Sequence, residues 1–152
     1  MPHKNCVFCN NDFEKFSLES YEYWDLQLFR DDQYYIGRTV IVLQERHTED
    51  LADLTVPERE ELFDVVIPDV QSALEKTFQP DNYNYTSLGD DCSHLHIHVI
   101  PRYQHSVEFN GQTFTDEYWN QTHSEKEEST RLGPEALTDL LFYLSDNLPQ
   151  NN

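Results

Sequence analysis

Apolar residues recur along the chain in two rhythms, and each rhythm predicts its own kind of element. Period two marks strands. Between Tyr23 and Arg30, Trp24, Leu26 and Leu28 alternate with Asp25, Gln27 and Phe29, which predicts a half-buried strand. Thr39-Val40-Ile41-Val42-Leu43 is mostly β-branched, as suits a central strand. Tyr34-Tyr35-Ile36-Gly37-Arg38 reads as a turn, with Gly37 permitting the tight backbone, so a hairpin is expected. Tyr83, Tyr85 and Ser87 alternate with Asn84, Thr86 and Leu88 in a further strand, and Gly89-Asp90-Asp91 then turns the chain. The next strand alternates His94, His96 and His98 with Leu95, Ile97 and Val99, giving one apolar face and one imidazole face. Pro101 has no N–H for a ladder and is expected to end it. Val107 to Phe114 reads as a small hairpin or loop, and Asp116 to Trp119 as aromatic surface.

Period 3.6 marks helices. Thr55-x-x-Glu58 is a capping box with Pro57 just inside it, so a helix should start near Val56. Leu62, Phe63, Val66, Val70, Ala73, Leu74 and Phe78 then form one apolar stripe, which Pro68 should kink and which should end before Pro80. A last helix is expected from Pro134, with Leu137, Leu140, Leu141 and Leu144 on one face. Ser124 to Thr130 and the tail after Pro149 are expected to be mobile. These elements predict an α+β fold: an antiparallel meander of about five strands, one long helix packed on it, and a C-terminal helix. With no internal repeat, residues 1–152 read as a single domain, of which roughly 1–105 form the core and 106–152 a C-terminal extension.

Charge narrows the partners. Asp and Glu number 29 against 10 Lys and Arg, a formal net charge of −19. Such a surface repels nucleic acid and anionic membranes, so neither is an expected partner. A small anionic substrate would need local compensation from Arg38, Arg46, Arg102 and the histidines, or screening by salt. Dense acid with scarce lysine points to a salt-adapted organism. No apolar run approaches a membrane span and no basic-then-apolar leader opens the chain. The odd count of three cysteines, Cys6, Cys9 and Cys92, argues against a disulfide framework. A soluble protein of the reducing cytoplasm is expected.

The candidate chemistry lies in the histidine strand. Strand rise sets same-face residues roughly 6.5–7 Å apart, close enough for neighbouring imidazoles to share one small ligand. Alternating histidines can also be a solvated strand face, or ligands of one catalytic metal. Cys6-Val7-Phe8-Cys9 is similarly open: a redox pair, half a zinc site, or coincidence. Zinc needs two more ligands, and His47 and His94 are the natural candidates for a tetrahedral Cys₂His₂ site.

His-Leu-His-Ile-His-Val-Ile followed by Pro101-Arg102-Tyr103 resembles the signature of the histidine-triad (HIT) superfamily of nucleotide hydrolases and transferases. Asn84-Tyr85-Thr86-Ser87-Leu88-Gly89-Asp90, then three residues, then His94-Leu95-His96, resembles one branch of it, in which an N-terminal cysteine pair, a histidine after the second strand and the first triad histidine hold structural zinc. The resemblance implies that His96 attacks the α-phosphorus of a nucleoside 5′-phosphoryl compound, a dinucleoside polyphosphate or a phosphoramidate, through a covalent nucleotidyl-imidazole. It makes His98 a donor to a phosphate oxygen or to the leaving group, and Cys6, Cys9, His47 and His94 the zinc ligands. It places Arg30, Asp32, Arg38, Asp90 and Ser93 among the candidate nucleotide contacts, with Arg30 or Asp32 on the ribose. Two positions depart from the family: Arg38 stands where His is common, and Asp90 where Asn is usual. An ionised Asp cannot donate to phosphate, so Asp90 should turn away or meet a sugar hydroxyl. Homodimers with continuous sheets are the family habit. A non-catalytic nucleotide-binding or zinc-stabilised interaction module is the alternative.

Overall fold

A computed structural model describes residues 6–10, 16–90, 92–123 and 130–149. The β-branched run forms the middle of the sheet. Strands β1 (Ser17–Ser20), β2 (Trp24–Leu28), β3 (Thr39–Leu43), β4 (Asn82–Thr86) and β5 (His96–Arg102) make one antiparallel sheet in the order β1-β2-β3-β5-β4. The order corrects the expected meander: β5 inserts between β3 and β4, because the helical connection after β3 carries β4 to the far edge. Strand β1 went unpredicted, its four residues being too few and too polar to show a period.

That connection is helix α1 (Val56–Glu61), a π-helical segment Leu62–Val66, and helix α2 (Ile67–Thr77). Both halves of the capping box form between Thr55 and Glu58. The ladder widens immediately before Pro68, where a proline ring would crowd the carbonyl four residues back. Leu62, Val66, Val70, Ala73, Leu74 and Phe78 pack onto the sheet, whereas Phe63 stays 62 % exposed. Helix α3 (Pro134–Asp146) adds Leu137, Leu140 and Leu144 to the same core. Strands β6 (Val107–Phe109) and β7 (Gln112–Phe114) form the small hairpin, joined through Asn110 and Gly111. The segment 124–129 and the tail 150–152, both expected to be mobile, lie outside the described residues.

Two further expectations change. Strand β2 is buried on both faces rather than one, with Asp25 and Gln27 covered as well as Trp24, Leu26 and Leu28. The burial is tolerable because Ser17 Oγ and Gln27 Nε2 donate to the Asp25 carboxylate at 2.7 and 2.6 Å. Pro101 does not end β5. The Arg102 carbonyl faces β4, where it accepts from the Asp81 N–H, so by alternation Pro101 nitrogen faces the other side. There β3 pairing has already stopped at Thr39 opposite Val99, and no ladder bond is lost.

Gly37 joins the hairpin turn to the helix. Its φ is +95°, and a Cβ there would sit 2.6 Å from Leu74 Cδ2. Gly37→Ala therefore combines left-handed strain with a core clash, and we expect about 1–3 kcal/mol of destabilisation, read as a lowered urea midpoint at constant m-value.

Candidate functional site

Alternation along β5 sends Leu95, Ile97 and Val99 into the core and leaves His96 and His98 on the opposite face, half-buried. Their ring centroids are 5.3 Å apart. His96 Nδ1 lies 2.7 Å from the backbone carbonyl of His94. A carbonyl only accepts, so Nδ1 carries the proton and Nε2 holds the lone pair. His96 is thus fixed in the tautomer of a nucleophile, with Phe8 packed 5.1 Å from its ring.

His98 has the opposite tautomer. Arg38 Nε and Nη2 face its Nδ1 at 3.4 and 3.2 Å. Guanidinium only donates, so His98 Nδ1 accepts and Nε2 bears the hydrogen. Burial, reinforced by the charge of Arg38 and by His96 and His123, pushes the His98 pKa down to about 3. His98 therefore presents a neutral N–H donor. Phe29 meets the His98 ring edge-on at 4.8 Å, and the Arg38 guanidinium lies over the Phe29 ring at 4.6 Å. Gln33, fully buried, shapes the loop that delivers Arg38: its Nε2 donates to the Phe29 and Arg38 carbonyls, and its Oε1 accepts from Gly37 N–H.

His94 precedes β5, and its ring turns into a second cluster instead of joining the other two. Cys6, Cys9, His47 and His94 place one ligand atom each within 4.8 Å of one another. His94 Nε2 donates to the Leu43 carbonyl at 2.6 Å, and His47 Nε2 lies 3.5 Å from Glu49 Oε1. With both Nε2 positions held by acceptors, the two Nδ1 lone pairs point inward, 3.0 Å apart, and Cys9 Sγ lies 3.4 and 3.5 Å from them. A Zn–N bond of about 2.0–2.1 Å gives a tetrahedral N···N edge of about 3.3 Å, close to this spacing. Two lone pairs at such a distance repel unless a cation lies between them, so the donor set fits a metal ion. The outer acceptors are those that orient ligating imidazoles.

The comparisons agree with this geometry. A family model described as "HIT domain" matches residues 21–105, more than half of the chain. The chain belongs to the HIT family. Protein hit of Bacillus subtilis (strain 168) is 27 % identical over 125 residues, covering 76 % of this chain and 84 % of that one. A histidine triad protein of Sinorhizobium meliloti superposes with a TM-score of 0.69 at 18 % identity, covering 90 % of this chain and 93 % of that one. A hypothetical histidine triad nucleotide-binding protein of Sulfolobus tokodaii gives 0.66 at 16 % identity, covering 93 % and 91 %. A HIT family member from Bacillus subtilis gives 0.57 at 22 %, covering 97 % and 100 %.

Within this HIT fold the remaining site residues predicted from sequence scatter. Asp32 Oδ1 accepts from the Tyr34 and Thr130 N–H groups, both at 2.9 Å, so it ties the hairpin turn to the chain before α3. Arg30 lies half-buried over the Phe16 ring at 5.1 Å. Asp90 is exposed on its turn. Ser93 is exposed too, and its Oγ donates to Glu49 at 2.6 Å, on the metal-cluster side. Arg46 and Arg102 offer no free charge to a phosphate. Arg46 is bidentate to Glu58 at 2.8 Å and also reaches the Asp53 carbonyl. Arg102 pairs with Asp116 and further donates to Asn84, Gln121 and Tyr118 oxygens. His123, Asp116, Phe29 and Gln33 carried no pattern that sequence reading could use, since each works through a contact across the fold.

His98 gives a pH signature. Its folded pKa lies below the unfolded value, so the folded state binds fewer protons than the unfolded between about pH 6.5 and 3. Stability should be fully present above pH 6.5 and fall as pH drops through that window. Melting temperatures from pH 7 to 4 should fall less steeply in His98→Gln than in the parent protein, and equal slopes would contradict the assignment.

Proposed function

We propose that the protein is a nucleotidyl hydrolase or transferase acting on the α-phosphate of a nucleoside 5′-phosphoryl compound. The observation that carries this reading is the 2.7 Å approach of His96 Nδ1 to the His94 carbonyl, which leaves Nε2 as a neutral nucleophile in a half-buried site. Nε2 forms the bond to α-phosphorus while the bond from phosphorus to the leaving group breaks, its electron pair departing with that group. Positive charge developing on His96 is supported by the carbonyl at Nδ1. Water then forms the second bond to phosphorus, the N–P bond returns its pair to Nε2, and the water proton passes to solvent. In a transferase another hydroxyl takes the place of water.

His98 serves this chemistry as a neutral donor from Nε2 to a non-bridging phosphate oxygen. Its depressed pKa speaks against the alternative expected from sequence, protonation of the leaving group. Arg38, 2 % exposed, holds that tautomer and adds positive potential beneath the phosphate position. Arg30 is the nearer candidate for the ribose, since Asp32 Oδ1 already serves two backbone donors. Zinc held by Cys6, Cys9, His47 and His94 would supply a structural cross-link when bound. The named relatives support a nucleotide as ligand, one being called a nucleotide-binding protein. Edge strands β1 and β4 support a homodimer, and the −19 charge supports a salt-adapted cytoplasmic setting. No helix among the described residues is long and apolar enough to cross a membrane.

Incubation with an adenosine phosphoramidate or a diadenosine polyphosphate, quenched in base, should yield a mononucleotide adduct on the peptide bearing His96. His96→Ala should lower turnover on the order of 10³-fold or more while nucleotide still binds. Binding without turnover in the parent protein would favour the non-catalytic module. Zinc should stabilise the protein by about 2.7 kcal/mol at a free concentration a hundred times its Kd, seen as a thermal shift. Cys9→Ser should abolish that shift, and an identical shift in both proteins would place the ion elsewhere.

A further inference from the structure

Cys92 is the cysteine that the metal cluster leaves unused. All three cysteines are free thiols, and two of them, Cys6 and Cys9, converge with His47 and His94. Cys92 stands two residues before His94, half-buried in the stretch that leads into β5. That stretch runs beside the loop after β3, since the Leu95 N–H donates to the Thr48 carbonyl at 2.8 Å. There the Cys92 thiol meets the N-terminal turn: it shares a hydrogen bond with the Cys6 thiol and lies near Cys9 as well. Two sulfurs far apart in sequence are thus brought side by side.

The N-terminal turn bears on the triad. The Asn10 N–H closes it on the Cys6 carbonyl at 3.1 Å, and between the two cysteines Phe8 packs 5.1 Å from the His96 ring and 5.7 Å from the His94 ring. Whatever anchors Cys6 therefore helps to anchor the ring that lies against His96. A tetrahedral ion takes four ligands, and Cys6, Cys9, His47 and His94 already fill that number. A spare thiol touching a ligand thiol has another chemistry open to it, because it can resolve an oxidised neighbour into a disulfide.

We propose that Cys6 and Cys92 form a reversible redox site, in which a peroxide oxidises the pair to a disulfide that withdraws Cys6 from the metal cluster and ties the N-terminal turn to the sheet in its place. The inference rests on the metal-binding reading above and is independent of the nucleotide chemistry. A thiol that ligates a cation is deprotonated outright, whereas one outside the ligand set keeps its proton near neutral pH, so Cys6 reacts first. Its thiolate attacks one oxygen of hydrogen peroxide, the O–O bond breaks, and hydroxide leaves with the electron pair and takes a proton from solvent. The Cys92 sulfur then attacks the Cys6 sulfur, the S–O bond breaks, and the departing hydroxide leaves as water with the Cys92 proton. One disulfide is formed and one peroxide is reduced to two waters. Cys9 is the competing partner, but its sulfur is engaged by the His47 and His94 imidazoles, 3.4 and 3.5 Å from their Nδ1 atoms. Where thiols are otherwise kept reduced, such a bridge is transient, as suits a response to oxidant and not a permanent staple.

Zinc-loaded protein is to be treated with stoichiometric hydrogen peroxide, released zinc being read with a chromogenic chelator and the bridge located by peptide mapping without reduction. The expected result is zinc release together with a Cys6–Cys92 bridge and a free Cys9 thiol, all reversed by dithiothreitol. Cys92→Ser should bind zinc as the parent does, yet after the same dose accumulate about fivefold more Cys6 sulfinic acid and fail to regain zinc on reduction. Zinc retained by the bridged parent, a Cys6–Cys9 bridge in its place, or full recovery of zinc binding in Cys92→Ser overturns the proposal. Should the parent take up no zinc, the metal reading fails by itself and the redox site is judged on the peptide map of the peroxide-treated protein. A Cys6–Cys92 bridge then sustains it, and the absence of that bridge overturns it.

Discussion

His94 is where two requirements of the fold meet in one residue. Its side chain enters the cluster with Cys6, Cys9 and His47, and its backbone carbonyl accepts from His96 Nδ1. Holding the ring of His94 restrains the carbonyl that sets the tautomer of His96, because both hang from the same Cα, three rotatable bonds apart. The Leu43 carbonyl holds a nitrogen of the His94 ring, and the Leu43 N–H in turn donates to the Leu95 carbonyl. A metal ion held between the N-terminal cysteine pair and the sheet would thereby bear on a nitrogen two residues away.

The second imidazole is controlled by a different means. A histidine beside His98 could share protons with it, whereas a guanidinium only donates, so Arg38 holds Nδ1 as an acceptor. Desolvation works in the same direction. The site then sets two rings 5.3 Å apart, His96 donating from Nδ1 to a carbonyl and His98 accepting at Nδ1 from Arg38. An acid-rich surface that would otherwise raise histidine pKa values has little grip on the His98 ring, shielded by Arg38 and Phe29.

Legibility from sequence divided along physical lines. Elements whose signal is local were plain: the capping box at Thr55 and Glu58, the β-branched run 39–43, the α3 stripe, and the alternation that puts Ile97 inside and His98 outside. The convergence of Cys6, Cys9, His47 and His94 was legible as well, since thiol and imidazole have few reasons to converge. What was lost depended on partners far along the chain. Asp25 and Gln27 looked like a solvent face because the hydroxyl that helps satisfy them, Ser17, sits on a strand too short to predict. Pro101 looked like a terminator because the end of β3 opposite it could not be seen. Arg102 looked available to compensate an anionic substrate because its neutralisation by Asp116 lies in a segment whose composition suggested only surface.

That last case bears on how an anionic substrate can approach a protein of net charge −19. Three arginines seemed available to draw it in, and two of them are committed to Glu58 and Asp116. Arg38 stands behind the triad, 2 % exposed and 4.0 Å from Asp32, so its field would reach a phosphate through the wall of the site and not by contact. Field lines focused in this way are least screened where water is excluded, beneath His98, and most screened over the open acidic surface. Added salt should then weaken the repulsion of the surface more than the attraction of the site. High ionic strength would favour this protein's encounter with a nucleotide, the reverse of the dependence expected where a basic surface does the steering.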